Sequence, residues 1–453
     1  MTVIEVVRTP ALGDTSYLLS SGGEVAVVDP QRDAWPLIDA CADRGLRPRF
    51  VLETHVHNDY VSGAREWQAA TGATVAGPAR AGYAFPHLPL ADGDELSFGG
   101  LSIRALATPG HTPEHTSYLV TEDGAEGPTA VLTGGSLIVG GAGRTDLMGA
   151  ERADELTRAQ CRSLRRLLAF DDAVRVLPTH GSGSFCTASA RNLPTSTLGD
   201  ERRTNPAVRL LAQEDEFVRA RLAGLPRFPA YYRHMAGLNR AGAPVLGGLP
   251  GVAALDPAGV ERAAVDGAWV VDARDREGFA AAHLPGSVNV ELDAAFATYV
   301  GWVVPFAAPL VLVLPEPTAD AAVEARTQLL RTGYDRVVGA LAGGPAAWRA
   351  SGRPLASYPA IGVGHLPVDD PDQPVLDVRQ PAEVEQVALP GSRHVFLGDL
   401  PERLGELPRG RRTWVVCASG RRAAVAASLL DRAGLPVGLV ARGGVADLAA
   451  AAA

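Results

Sequence analysis

The residue best suited to covalent chemistry is Cys417, which ends the apolar run Thr413-Trp414-Val415-Val416 and is followed by Ala418-Ser419-Gly420-Arg421-Arg422 and a helix-forming stretch over 423–433. A cysteine between a strand end and a helix N-terminus faces outward backbone N–H groups, which stabilise a thiolate and the persulfide it can carry. Its plainer role is a small buried hydrophobe closing a core strand. A second group suits metal binding: Thr54-His55-Val56-His57-Asn58-Asp59-Tyr60 follows the short apolar run Phe50-Val51-Leu52. Imidazoles and carboxylates gathered in a turn after a strand are the donors that zinc and iron take, although an isolated His-x-His is as readily a pair of loop histidines. Further histidines follow later strands, His111 in Thr108-Pro109-Gly110-His111-Thr112 and His180 in Leu177-Pro178-Thr179-His180-Gly181. His87 and His115 are expected to make local hydrogen bonds only.

The elements that must position these residues form an α/β pattern. Short β-rich runs at Ser16–Leu19, Glu24–Val28, Phe50–Leu52, Ala73–Ala76, Leu101–Ala105 and Thr116–Val120 alternate with turns, and helical spacing appears at Ala34–Arg44 and Ala64–Thr71. The run Ala130–Thr133 ends in Gly134-Gly135, followed by Gly143-Arg144-Thr145-Asp146. Glu151–Phe170 has an apolar helix face of Leu156, Leu164, Leu167 and Leu168, with Cys161 as a core residue. Ser196–Ala243 reads as a helical extension. Beyond the Gly/Pro-rich stretch 242–250, a period of roughly 110 residues marks a domain duplication. Trp269-Val270-Val271-Asp272-Ala273-Arg274 and His283-Leu284-Pro285-Gly286-Ser287 match Val375-Leu376-Asp377-Val378-Arg379 and Leu389-Pro390-Gly391-Ser392.

Length and composition bound the answer. At 453 residues and roughly 150 per domain, about three domains are expected. The formal charge of −9 supplies no basic face for nucleic acid. There is no apolar run of membrane-spanning length, and Met1–Pro10 has no basic region followed by an apolar signal core, which points to a cytoplasmic protein with no membrane partner. Four scattered cysteines without Cys-x-x-Cys spacing indicate neither a disulfide framework nor a cysteine-based zinc knot.

The order THxHxD, PGHT, TGG with GRTD, then PTHG resembles the metallo-β-lactamase superfamily, and most closely its persulfide dioxygenase-like branch fused to rhodanese domains. The resemblance implies an αββα sandwich over 1–242, including the helical extension. Two rhodanese-like parallel-sheet domains follow, a degenerate one over 251–357 and one over 360–453 that carries Cys417. It further implies His55 and His111 as metal ligands; His57 or Asp59 could complete the site, and His180 is a less direct candidate as an outer ligand. The cofactor would be one non-haem Fe(II), with zinc as the alternative or no metal at all. Two positions depart from the family pattern: Tyr60 stands where a further histidine would bind a second metal, and Gly135 stands where an aspartate ligand is usual. In the last domain, Cys417-x-x-Gly420-x-Arg422 resembles the rhodanese active loop, with Arg422 binding the anionic sulfur donor and Gly420 and Arg421 lining it. Arg144, Tyr231, Tyr232 and Arg233 are weaker candidates for substrate binding. The earlier copy has Pro315-Glu316-Pro317 in this loop, which removes N–H donors and adds a negative charge, so it is expected to be inactive.

The function implied is oxidation of a low-molecular-weight, glutathione-like thiol persulfide to sulfite, coupled to sulfur exchange with thiosulfate or sulfite on Cys417. The alternatives are a glyoxalase II-like thioester hydrolase and a metal-free scaffold that only carries sulfane sulfur. A homo-oligomer is compatible with the resemblance.

Overall fold

The structure is a computed structural model describing residues 2–187, 193–316, 318–368, 370 and 372–452. Pro317, one of the residues read above as disabling the first loop, lies outside them. The chain forms two compact units, Met1–Phe228 with Tyr232–Leu249 and Pro229–Tyr231 with Pro250–Ala453.

The first unit contains two six-stranded sheets. One orders β1 (Val3–Thr9), β2 (Asp14–Ser21), β3 (Glu24–Val28), β4 (Arg47–Leu52), β5 (Thr74–Pro78) and β6 (Leu88–Leu90) sequentially, antiparallel through β3 and parallel thereafter. The other contains β7 (Glu95–Phe98), β8 (Leu101–Ala107), β9 (Thr116–Glu122), β10 (Ala130–Gly134), the short pair β11 (Leu137–Ile138) and β12 (Gly141–Ala142) beside it, then β13 (Arg175–Pro178) and β14 (Ser196–Thr197). Its order is β14-β13-β10-β9-β8-β7.

Side-chain alternation explains why the sheets form a sandwich. Tyr17, Leu19, Leu52, Tyr118, Val120, Leu132 and Leu177 point into the space between the sheets and share one core. Their chain neighbours Leu18 and Val51 turn outward onto helices α1 (Trp35–Asp43) and α2 (Ala64–Thr71), where Cys41 and Trp67 are buried. Leu119, Val131 and Val176 turn outward onto α3 (Ala150–Leu167), against Cys161, Leu164 and Leu167. Because both strand faces are covered, the strands read as near-continuous apolar runs. The layering is helix, sheet, sheet, helix.

The second unit holds two parallel sheets with the same topology. In the first, Leu310–Val313 lies between Trp269–Asp272 and Val337–Leu341; in the second, Thr413–Val416 lies between Val375–Asp377 and Val437–Arg442. The registers Asp272 with Val313 and Asp377 with Val416 are equivalent, so Leu314, the residue after Val313, occupies the place of Cys417. The duplication thus puts an apolar side chain where the other copy has a thiol. No helix among the described residues is long and apolar enough to cross a membrane.

The turn that presents His111 depends on Gly110, whose φ is +148 and which packs against the backbone of Gln160 on α3. A methyl group there would overlap that helix, so Gly110→Ala is expected to cost about 1–3 kcal/mol. The check is an earlier thermal unfolding transition relative to the parent protein.

Candidate functional site

The loop that follows β4 is held by a single carboxylate. Asp29, just past β3, accepts the Thr54 N–H and the Thr54 hydroxyl, each at 2.7 Å, and the Thr179 hydroxyl at the end of β13. It is completely buried and has a φ of +49, a conformation that a non-glycine residue adopts at a cost. From the other side, the Asn239 side-chain amide donates to the carbonyls of His57 and Tyr60 at 2.9 and 2.8 Å and accepts the Ser62 N–H at 2.9 Å. The helix Tyr232–Ala241 therefore clamps the His-x-His-x-Asp loop onto the sheet. Neither Asp29 nor Asn239 belongs to a recognisable motif, and only the strand-end position of Asp29 hinted at its role.

Ring partners determine which imidazole nitrogens are left for a ligand. The Thr54 hydroxyl is spent on Asp29, so it accepts from Nδ1–H of His55 at 2.8 Å and leaves Nε2 of His55 as a lone pair. His111 donates Nδ1–H to the Arg144 carbonyl at 2.7 Å, and its Nε2 is buried without a partner. His180 directs Nδ1 at Asp14 (2.8 Å) and Asp59 (3.2 Å), and its Nε2 lies 3.2 Å from Nε2 of His55. Fixing one ring nitrogen with a carboxylate or carbonyl and freeing the other is how proteins prepare metal-binding histidines. His115, by contrast, has both nitrogens engaged, with Thr108 at 2.9 Å and the Gly135 N–H at 3.0 Å, which fits its expected local role. His87 is also local, within 2.8 Å of the Phe85 carbonyl.

His57 is held differently. Its Nε2 is shared among Glu53 (3.0 Å), the Tyr60 hydroxyl (3.0 Å) and Asp29 (3.2 Å), leaving Nδ1 buried and unpartnered. Tyr60, at the position where the resemblance implies a further ligand, thus orients His57. Burial opposes a charge on His57, but the carboxylates of Asp29 and Glu53 hold its pKa well above the usual range. His180 is likewise raised to about 10, because Asp59 and Asp14 outweigh the cost of burial. Burial first, then neighbouring imidazoles, depresses His55, and burial followed by His180 lowers His111 to about 3. Two imidazoles are therefore kept neutral beside two that favour a proton or another cation.

Among the described residues, the buried donor groups that could hold a metal are His55 with His57 and His180; His111 with His180 and Cys186; Asp14 with Asp59 and His180; and Asp29 with Glu53 and His57. His180 belongs to three of these four, so it is more central than the sequence suggested, and Cys186, which no motif singled out, stands beside it. The donor set fits a metal ion: two neutral imidazoles with fixed Nδ1 partners, an orphaned buried Nε2, and carboxylates behind a third ring. At Gly135 the imidazole of His111 lies where a side chain would start, so an added Cβ would overlap the ring. The His111 ring thus fills the space in which a side chain at 135 would lie. A cleft lined by Glu53, His55, His57, Arg65, Tyr83 and Phe85 reaches the cluster.

Arg144, a weaker candidate for substrate binding, has its guanidinium engaged within the fold. It is buried, bonded to Asp146 at 2.7 and 2.8 Å and to the Phe185 carbonyl at 3.0 Å, and lies over the Phe228 ring. Its guanidinium is committed to holding the loop that carries Cys186. Tyr231 and Tyr232 are buried as packing residues, Tyr231 against Gly301 within the second unit.

Cys417 sits as its sequence position implies, at the end of the central strand and before the helix Arg421–Arg432. Its Sγ accepts the Gly420 N–H at 3.1 Å and faces the Ser419 N–H at 3.5 Å. Gly420 has a φ of +89, the left-handed conformation that turns this N–H inward. Arg422 pairs with both carboxylate oxygens of Glu383, one at 2.7 Å, and Arg421 pairs with Asp293 across the Tyr299 ring. Both arginines predicted to bind an anion line the loop, each neutralised by a carboxylate that an incoming anion must displace or share.

For the metal cluster, His111→Ala is expected to weaken metal affinity by at least ~10-fold, whereas His115→Gln retains the metal and lowers only stability. Elemental analysis of anaerobically purified protein compares the two.

Residues 10–180 match the metallo-beta-lactamase superfamily, and residues 257–351 and 365–451 match the rhodanese-like domain. A probable metallo-hydrolase of Burkholderia pseudomallei is 35% identical over 253 residues, spanning 47% of this chain and 83% of the relative. A hydroxyacylglutathione hydrolase of Methylococcus capsulatus is 33% identical over 259 residues, spanning 50% and 93%. Among solved structures, a metallo-beta-lactamase from Staphylococcus aureus subsp. aureus COL superposes with a TM-score of 0.67 at 26% identity over 75% of this chain and 98% of that one. With an N-terminal αββα sandwich and a duplicated parallel-sheet module behind these matches, the chain belongs to the metallo-β-lactamase superfamily and carries two rhodanese-like domains.

Proposed function

We propose that the protein is a sulfur-metabolism enzyme that carries sulfane sulfur as a persulfide on Cys417. The observation that carries this reading is the backbone cradle on Sγ, with Gly420 N–H at 3.1 Å and Arg421 and Arg422 beside it. Aligned N–H donors favour a thiolate over a thiol and can hold the terminal sulfur of the persulfide in the same way. In the transfer step, the Cys417 thiolate attacks the outer sulfur of thiosulfate or a thiol persulfide. A new S–S bond forms on Sγ, the donor's S–S bond breaks, and sulfite or thiolate leaves with the electron pair. Arg422 and Arg421 compensate the donor's negative charge. An acceptor thiolate or sulfite then takes the sulfur and regenerates Cys417.

In the same reading, the metallo-β-lactamase domain oxidises a glutathione-like thiol persulfide: persulfide, O₂ and water give thiol and sulfite. His55, His111 and His180 would hold the metal, with Cys186 and His57 in reach, and the metal would supply an open-sided centre for O₂ and sulfur. The cleft beside His55 and His57 provides the approach, and Glu53 and Asp29 hold His57 in place next to it. The rival reading is thioester hydrolysis, favoured by the relative named hydroxyacylglutathione hydrolase. Tyr60 and Gly135 count against it because they remove donors that a two-metal hydrolase needs.

Cys417→Ser is expected to lose more than ~99% of thiosulfate-to-thiol sulfur transfer while leaving metal content unchanged, as removal of a nucleophile dictates. A variant that keeps transferring sulfur sinks the Cys417 assignment. Oxygen uptake on glutathione persulfide by Cys417→Ser tests the second half. Thioester cleavage without oxygen uptake would favour the hydrolase, and protein that retains no metal and lacks both activities would leave the first domain as a scaffold.

A further inference from the structure

The inactive rhodanese-like copy reaches the active loop of the other. Arg276, at the first turn of the helix Arg276–Ala281, donates Nη1–H to the Ser419 carbonyl at 2.8 Å and lies 3.4 Å from the Ala441 carbonyl. Its guanidinium is aimed by Glu291, which accepts both the backbone N–H and Nε–H of Arg276 at 2.9 Å and pairs with Nη2. The Ser419 carbonyl and the Gly420 N–H belong to one peptide unit. In a trans peptide these two groups point in opposite directions. A guanidinium fixing the carbonyl from outside therefore turns the N–H inward, where it meets Cys417 Sγ at 3.1 Å. A charged donor on the carbonyl also polarises the peptide and strengthens its N–H as a donor. Gly420 is required at this point because a side chain there would run into the Ala441 carbonyl and the Arg276 guanidinium.

We infer that Arg276, supplied by the copy that lacks a cysteine, is the positioning residue that sets the reactivity of Cys417. This rests on the reading of Cys417 as the sulfur acceptor. The chain of contacts runs from Glu291 through Arg276 and the 419–420 peptide to the thiol. It gives the inactive copy a role in chemistry that its own loop, with Leu314 in the thiol's place, cannot perform. The charged and titratable groups around the thiol are Arg276, Glu291, Asp293 and Tyr299 from the first copy and Glu383, Arg421 and Arg422 from the second. Removing Arg276 subtracts a positive charge from this set and frees the peptide to rotate, and both changes disfavour the thiolate.

The experiment follows Cys417 alkylation by iodoacetamide in the full-length protein across pH, read by mass spectrometry of the Cys417 peptide. For Arg276→Ala the profile is expected to move up by about one pH unit. At a pH below both midpoints alkylation would then be about tenfold slower, with the high-pH plateau unchanged. Arg276→Lys, which keeps a charged donor but not the fork on Glu291, should recover part of the shift. Arg276→Gln, which removes the charge with a smaller change in shape, should shift the profile in the same direction as Arg276→Ala, and it decides the matter if Arg276→Ala does not fold. Profiles that superimpose on the parent protein in every folded variant overturn the inference. Persulfide loading of the parent protein is measured separately by the mass gain of one sulfur on the same peptide. If that loading is absent, the sulfur-acceptor reading fails, whereas normal loading with unshifted profiles removes only the role of Arg276.

Discussion

The arrangement of the first unit depends on the Asp29 carboxylate. It lies at the end of one sheet and collects donors from Thr54, in the loop after a strand of that sheet, and Thr179, just past a strand of the other, with His57 at 3.2 Å. Burial works against its charge, yet His57 and the hydroxyl and amide donors keep its pKa below the usual carboxylate range. Hydrogen bonds to a charged acceptor contribute about 1.5–3 kcal/mol each, and leaving any of these buried donors without a partner would cost a similar amount. This one side chain thus joins the two sheets where the candidate ligands converge. It also fixes Thr54, which in turn sets the tautomer of His55.

The second unit shows how duplication separates fold from chemistry. Both copies keep a buried strand-end aspartate paired with an arginine, Asp272 with Arg274 and Asp377 with Arg379, each linked at 2.6 Å. Both keep the same sheet order and the same place for the loop. The loop residues differ, Leu314 standing where the other copy has Cys417, and the first copy meets the loop of its sibling through Arg276, Asp293 and Tyr299. A copy with no cysteine in its own loop thus contributes charge to the surroundings of the cysteine in the other.

Much of the fold was legible because both strand faces are buried. Apolar runs such as Val25–Val28 and Val51-Leu52 mark strands whichever face one considers, and the helix Ala64–Thr71 coincides with its sequence reading. The edge strand Val3–Thr9 escaped because charged Glu5 and Arg8 interrupt it, as exposed edges tolerate. The histidines were legible because they sit in short local motifs. Asp29, Asn239, Cys186 and Arg276 were not, since each acts on residues far along the chain and nothing in the local spacing of a sequence encodes which loop a side chain will meet. The surroundings of Arg144 were hidden for the same reason: only the fold shows that Asp146, Phe185 and Phe228 engage its guanidinium.

Gly135 bears on how the protein can change over generations. The imidazole of His111 lies against it, in the space where a longer side chain would begin, and the same ring is tethered through Nδ1 to the Arg144 carbonyl. A single base change can introduce a carboxylate at 135 in the gene, but the fold would accept it only if ring, carbonyl and glycine all shifted together. Variation at this one position is therefore tied to its neighbours, and a new side chain there has to come with changes around His111.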